Sequence, residues 1–431
     1  MRSDLVVFGG GMAGIHCALA AGRLGKNVLL VEQSGTLGGM ATSGLVNPFM
    51  RYWLNGEHLI QGIFSELLGR VDALGGILAN TFDSELMRVA LHAMMGKEHN
   101  LTCLFHAQPV AATVKGKNIL SAKIMTTLSE QIEVEAAHWV DTTGHAAFAH
   151  LCGAETCSGD ETGQNQALTT MFVISGVDFS KIKADVKENP DNFLAWVHPD
   201  MEIISCAGYF DEIERARKVG MEYPNTHFFF VQLPGKGRVS VNTTHIAATA
   251  TESFAISRAI NEGVKQALTV YQFAKEYVSG FENATLEKIA PQIGIRENRR
   301  VKGRYTFSTQ DVLKANKFED GVVKACYGID IHKKESKLTD SDKAFVPKYT
   351  DYYEIPLRAL ISADFENLFM AGRCLSSDFG GQSAARIMPS CAGMGQALGI
   401  YLALYHDQLK SMNKNTLYQH IEQITHQIPK G

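Results

Sequence analysis

Gly9, Gly11 and Gly14 fill the pattern G-x-G-x-x-G, and an acid, Glu32, follows eighteen residues after the last of them. In that spacing the first glycine lets the chain turn sharply, the second lets a pyrophosphate approach the backbone, and the third lets a helix pack closely on a strand. The phosphates would rest on the helix N-terminus around Met12 and Ala13, where unpaired N–H groups and the dipole favour an anion. Glu32, followed by Gln33, can accept hydrogen bonds from a ribose diol, and the same carboxylate repels a 2′-phosphate, which disfavours NADP. These residues describe a dinucleotide cradle. By themselves they leave a nicotinamide, a flavin and a ligand-free structural unit open.

Three further residues could do chemistry. His245, at the end of a hairpin strand, has an unperturbed pKa near neutrality and is a candidate acid or base, although a lone histidine there is also a simple structural hydrogen-bonding group. Arg296 belongs to a basic cluster with Arg299, Arg300, Lys302 and Arg304. The cations alternate with Ile295, Val301 and Tyr305, so some of them should point inward, toward a flavin or an anionic substrate. Arg386 could clamp a carboxylate or stabilise a reduced flavin, and a structural ion pair fits its position equally well. Cys374 and Cys391 have no partner cysteine nearby in sequence and read as small buried residues.

The elements that must position these groups follow from periodicity. Leu5 to Phe8 is a short apolar strand that breaks at Gly9, and Ala13 to Leu24 has helical spacing; a second buried strand, Asn27 to Val31, ends at Glu32. Gly38 and Gly39 come next, and Met40, Ala41 and Thr42 begin a small, polar loop suited to lie against a planar ring. Ile60 to Leu74 has a helical pattern, and Asp83 to Met95 reads as a helix opened by an acidic N-cap. Leu101 to Val114 and Ile119 to Thr127 read as strands of a small added sheet. A strand then ends at Thr143-Gly144.

From about residue 170 to 285 the pattern becomes antiparallel, with a hairpin over 228–244 turning at PGKG. In the long helix that follows, Ile260, Val264, Ala267, Tyr271, Ala274 and Val278 form a stripe expected to face the core. Near the C-terminus a buried strand, Asn367 to Ala371, meets Gly372-Arg373. A helix expected to start near Ser390 then carries Gly393, Gly395 and Gln396, where glycines would admit a ring and the dipole would favour negative charge on a reduced flavin.

The chain has 431 residues, 20% of them charged, with a net charge of −4, so nothing in its composition attracts nucleic acid or anionic lipid broadly. Eight cysteines are scattered without a C-x-x-C pair, which argues against a disulfide framework or zinc site and for a reduced, cytoplasmic protein. No metal-ligand spacing stands out. The longest apolar runs fall well short of the roughly 18 residues of a membrane span, and the first residues read as a strand, not a signal peptide.

GGGMAG with Ala18, Gly25, Glu32 and the Gly38-Gly39 pair resembles the extended fingerprint of the two-dinucleotide-binding-domain flavoproteins. GIREN-RR-x-x-GRYT, IPLRALI, NLFMAGRCLSSD and RIMPSCAGMGQALG add, in order, a resemblance to the FAD-dependent oxidoreductase family related to the fumarate reductase flavoproteins. The resemblance implies an α/β fold of glutathione-reductase type: a Rossmann-like FAD-binding domain in two pieces, 1–170 and 286–431, with an inserted α+β substrate domain, 171–285, rich in antiparallel strands. It implies FAD held non-covalently by Gly9, Gly11, Gly14, Glu32, Gly38, Gly39, Gly372, Arg373, Gly395 and Gln396, and hydride transfer between flavin N5 and a small organic substrate. One departure stands out: the family often has acids just after the Thr-Gly step, and His145 and Ala147 occupy those places here. Two other readings share the fingerprint. A flavin-dependent tRNA-modifying enzyme would want a basic, aromatic-bearing surface, and the dense basic cluster is confined to 296–304. A flavin electron-transfer subunit would need a partner cofactor, and the chain has no iron–sulfur cysteine cluster.

Overall fold

A computed structural model of the chain describes residues 1–406, 412 and 414–426. Strand β1 (Arg2–Phe8), helix α1 (Met12–Arg23) and strand β2 (Val28–Val31) follow one another, and β1 pairs with β2 in parallel. The apolar run of β2 is buried on both faces, as expected of a strand covered on each side. These strands sit in a seven-stranded sheet, with Leu101–Leu104 outside β2 and Gln131–Asp141 on the other side of β1.

The strand Gln131–Asp141 forks. Its first half pairs antiparallel with Asn118–Thr126, which continues to Ala107–Lys115, while its last three residues pair in parallel with Leu368–Met370. The hairpin expected to form a separate small sheet is therefore an extension of the main one. The reason is the length of the central strand: at eleven residues it outruns β1 and offers its free half to the hairpin. The distant strand Leu368–Met370 closes the other half, beside the end that runs into Thr142.

A second, antiparallel sheet of five strands runs in the order Ser205–Gly208, Phe228–Gln232, Val239–Val241, Phe172–Ser175, Thr285–Ile289. It has its own hydrophobic cluster, centred on Phe172, Phe228, Phe230, Phe273 and Phe281. The helix Ser253–Tyr277 covers it. The expected stripe is only half right: Ala267, Ala274 and Val278 are buried, but Ile260 and Val264 are 40% and 45% exposed. The helix buries Ala259, Gly263, Ala267 and Val270 instead, because it lies so close to Thr170 that a Cβ at Gly263 would overlap the Thr170 hydroxyl. Close approach selects small residues, and the larger apolar ones are left outside.

The helix Met388–Leu404 is buried nearly along its whole length and crosses α1. A Cβ at Gly395 would overlap the Ala13 carbonyl oxygen, and one at Gly399 would overlap Cys17 O, so two glycines four apart meet α1 at two positions four apart. Gly395→Ala is expected to force the helices apart and cost about 2–3 kcal/mol of stability, read as a lowered denaturation midpoint. An unchanged midpoint would mean that the crossing is not this tight.

No single helix among the described residues is long and apolar enough to cross a membrane. The bent pair Phe379–Ala385 and Met388–Leu404, turning by 91°, owes its apolar composition to burial inside the protein. All eight cysteines are free thiols.

Candidate active site

The first end of the site is built where β1 hands the chain to α1. Gly9 has φ +105°, a conformation that L side chains rarely adopt, and its missing side chain lets the end of the strand Gln131–Asp141 lie against it: a Cβ there would be 2.6 Å from Thr142 O. Thr142 Oγ1 bridges the two, donating to Phe8 O and Gly9 O at 2.8 Å each. Gly14 packs on Gly9, with no room for a Cβ. Gly11 differs from both. It caps α1 in ordinary extended geometry, without a side-chain cap or an acid in the first turn, and a Cβ on it would meet nothing within 4 Å. The open helix terminus therefore faces the cavity, available to an anion.

Glu32 is fixed from both sides: Oε2 accepts from Gly10 N at 2.6 Å and Oε1 from Ser34 N at 2.7 Å. Gly38 N donates to Gly10 O at 2.8 Å, which brings the Gly38-Gly39 turn alongside Gly11. Asp141 braces the next wall by accepting from Thr143 N and Oγ1 and from Ala149 N. His145 follows, with Nδ1 3.1 Å from Thr143 O, and burial lowers its pKa. Arg373 packs over Gly144. Its Nε is buried without a hydrogen-bond partner, and burial lowers its pKa.

A continuous cavity of about 280 Å3 joins these groups to a second set near the five-stranded sheet. There Arg386 Nη2 binds Asp330 Oδ2 at 3.0 Å and Asp330 O at 3.1 Å. Asp330 also accepts from Tyr327 OH at 3.1 Å, and its Oδ1 lies 3.1 Å from His332 Nε2. Burial pushes the Asp330 carboxyl up, but His332, Arg386 and Arg296 together hold it well below the usual carboxylate range. Burial first, then Arg296, lowers the pKa of His332, against the pull of Asp330. Arg296 donates from Nη1 to Ala167 O at 2.7 Å and from Nη2 to Asn242 Oδ1 at 3.4 Å; burial, then Arg386, brings its pKa down to about 10.

The expected residues are divided by this arrangement. Gly9, Gly11, Met12, Ala13, Glu32, Gln33, Gly38, Gly39 and Met40 line the cavity at the cradle; Thr143, Gly144, Gly372 and Arg373 line its middle; Arg296 and Arg386 line its far end. Gly14, Ala41 and Thr42 stand behind the lining. Ala41 O accepts from Ser84 Oγ at 2.7 Å and Thr42 Oγ1 donates to Leu37 O at 2.6 Å, so both shape the loop from inside. Gly393, Gly395 and Gln396 also lie off the cavity. A Cβ at Gly393 would lie 3.1 Å from Ile60 Cδ1, Gly395 meets α1, and Gln396 Oε1 accepts from Ile63 N at 2.8 Å. What approaches Gly395 is another helix, and what approaches Gly393 is the side chains of Ile60 and Val323. The part of that segment that does reach the cavity is its start, Ile387, Met388 and Cys391.

His245 is off the lining as well: its Nε2 bonds Lys334 O at 2.8 Å and its backbone N–H donates to Gln266 Oε1 at 2.8 Å, which leaves it a structural tie. Beside His145, the cavity wall carries a second histidine, His332, which with Asp330 belongs to no motif legible in the sequence. The D-x-H spacing at 330–332 was the one trace of it. Of the basic cluster, Arg300 is buried against Glu297, Gly159 O and Ser377 O, away from the cavity. Cys391 lines the wall as a thiol whose pKa burial pushes up to about 12, so it stays protonated at neutral pH.

A model of a family described as FAD dependent oxidoreductase matches residues 4–423. Dihydrolipoamide dehydrogenase of Chaetomium thermophilum is 32% identical over 172 residues, and the match spans about a third of each chain, 34% of this one and 34% of the relative. Among solved structures, the chain is similar to a geranylgeranyl bacteriochlorophyll reductase-like protein of Thermoplasma acidophilum, at 12% identity and TM-score 0.47, covering 98% of this chain and 82% of that one. It is also similar to a myxobacterial chondrochloren halogenase, at 13% identity and TM-score 0.46, covering 98% and 78%.

Proposed function

The chain belongs to the FAD-dependent oxidoreductase family, and from that premise we propose that it transfers hydride between FAD and a small organic substrate bound at the Arg296–Arg386 end of the cavity. FAD is the cofactor, and the cradle fits it: Gly11 opens onto the cavity, α1 presents an uncapped N-terminus, Glu32 is preset by two amides, and the buried Arg373 Nε lacks a partner. When bound, FAD supplies a hydride donor or acceptor at its N5 atom.

The observation that carries this reading is the continuity of the cavity. One space runs from the glycine turns past Gly144 and Arg373 to a wall bearing a base and cations. In our reading the segment 171–285, which carries four of the five strands of the antiparallel sheet, acts as the substrate domain, and 1–170 with 286–431, which adds the edge strand Thr285–Ile289 to that sheet, forms the glutathione-reductase-type FAD domain. His332 is the base: with its pKa lowered it is neutral at pH 7, and with Nε2–H donated to Asp330 its Nδ1 can take the proton a substrate loses as hydride leaves its carbon. Asp330 fixes the ring and the tautomer. Met40, Val46, Pro48 and Met171 supply apolar wall that excludes water from the reacting atoms. The inward turn of Arg296 and Arg300 favours a small molecule over a nucleic acid, since a phosphate backbone needs cations on the surface.

The test is a visible spectrum of the purified protein, repeated on the filtrate after heat denaturation, with the released compound identified by mass. FAD in the filtrate is expected, and candidate substrates are then those that bleach the flavin bands anaerobically. A colourless protein that also fails to take up added FAD would overturn the reading.

A further inference from the structure

Burying a cation is costly unless an opposite charge meets it. At the far end of the cavity the charges do not balance. Two guanidiniums, Arg296 and Arg386, share that wall with one carboxylate among the described residues, Asp330. Asp330 is committed on both oxygens, Oδ2 to Arg386 and Tyr327 and Oδ1 to His332. Glu297, the sequence neighbour of Arg296, is turned away and spent on Arg300, Gly159 N and Asn165. Arg296, 9% exposed, is left with neutral acceptors only, Ala167 O and Asn242 Oδ1.

We infer that Arg296 and Asn242 form a carboxylate subsite, so that the substrate is a small organic acid; this rests on the reading of the cavity as a flavin active site. Two of the five guanidinium N–H groups of Arg296 are engaged, which leaves donors for a planar anion. Asn242 is oriented by its neighbours: its Oδ1 accepts from Thr169 Oγ1 at 3.0 Å as well as from Arg296, so its Nδ2–H2 is a second donor beside the guanidinium. A singly charged carboxylate matches the one unneutralised cation. A phosphate monoester, carrying nearly two negative charges at neutral pH, would bring excess charge next to Asp330. The subsite also separates the arginines by task, with Arg386 holding Asp330 and Arg296 holding the ligand.

The test is calorimetric titration of the purified protein, its FAD content measured in parallel, with acetate, propionate and benzoate as probes, acetamide, propionamide and benzamide as neutral controls, and inorganic phosphate as the competing anion. At least one of the acids should bind, its amide counterpart should not, and Arg296→Gln should weaken the acid at least tenfold while FAD content stays unchanged. Arg296→Lys should fall between. Should Arg296→Gln fail to fold, Asn242→Ala carries the same expectation of weaker acid binding. Equal binding of acids and amides, preference for phosphate, or unaltered acid affinity in a folded variant would overturn the inference. FAD bound with no acid binding would also overturn it while leaving the flavin reading intact, whereas a protein without FAD that still binds acids through Arg296 would overturn the flavin reading and leave the subsite.

Discussion

Gly11→Val is expected to yield a folded but colourless protein. The backbone there is extended in a way any residue adopts, and a side chain at that position points into open cavity, so the denaturation midpoint should match that of the wild-type chain freed of FAD. The same side chain fills the space in which the pyrophosphate must approach the helix N-terminus. Losing two charge-assisted hydrogen bonds there costs about 3–6 kcal/mol, so FAD affinity should fall by at least about 10²-fold, read by titrating the stripped protein with FAD. Gly14→Ala, three residues on, should do the opposite and destabilise the fold itself, because its Cβ overlaps Gly9 O. If Gly11→Val retained FAD at wild-type affinity, the phosphates would have to bind elsewhere.

His332→Gln should lower kcat by about 10²–10³-fold once a substrate is in hand, with FAD content and midpoint unchanged. His245→Gln should leave kcat within about threefold of wild type, since the side chain ties Lys334 O and does not reach the cavity. The pH dependence distinguishes a base from a mere spacer. The folded pKa of His332 lies below the ordinary histidine value, so kcat/KM should be full at neutral pH and fall as pH drops through that lowered value. Arg296 is one of the charges that depress it. Arg296→Gln removes that charge, so the acidic limb of the residual activity should move to higher pH. A limb that stays in place in Arg296→Gln, or a full rate in His332→Gln, would exclude His332 as the base.

The cradle was legible in the sequence because it is local. Gly9, Gly11, Gly14, Glu32, Gly38 and Gly39 are close along the chain, and each residue type answers a steric or polar demand made by its near neighbours. Asp83 as a helix cap was legible for the same reason: its carboxylate accepts from Glu85 N and Leu86 N. Gly393 and Gly395 show the limit of such signals. A glycine reports that something comes close and does not say what: here it is α1 at Gly395 and the side chains of Ile60 and Val323 at Gly393. Asp330 and His332 were hidden because they lie on an irregular stretch with no periodicity, brought to the cavity by contacts such as Ala167 N to His332 O and Asp330 N to Ser383 Oγ. The long helix misled in a related way, since apolar size in Ile260 and Val264 pointed to burial where close packing had selected Ala259 and Gly263.

The crossing of α1 by the glycine-bearing helix sets a schedule for the chain's birth. At about 5–20 residues per second, a ribosome needs roughly 20–90 s to make 431 residues. For most of that time α1, whose buried residues include Met12 through Gly22, has no Gly395 and Gly399 to close over it, and the forked strand has no Leu368–Met370 beside it. The nascent chain thus carries an apolar helix whose most extensive packing partner is made near the end of synthesis. Ribosome-bound chains stalled before residue 368 should recruit chaperones at that helix, and a premature stop in the same region should give an insoluble product, however intact the glycine turns at its start.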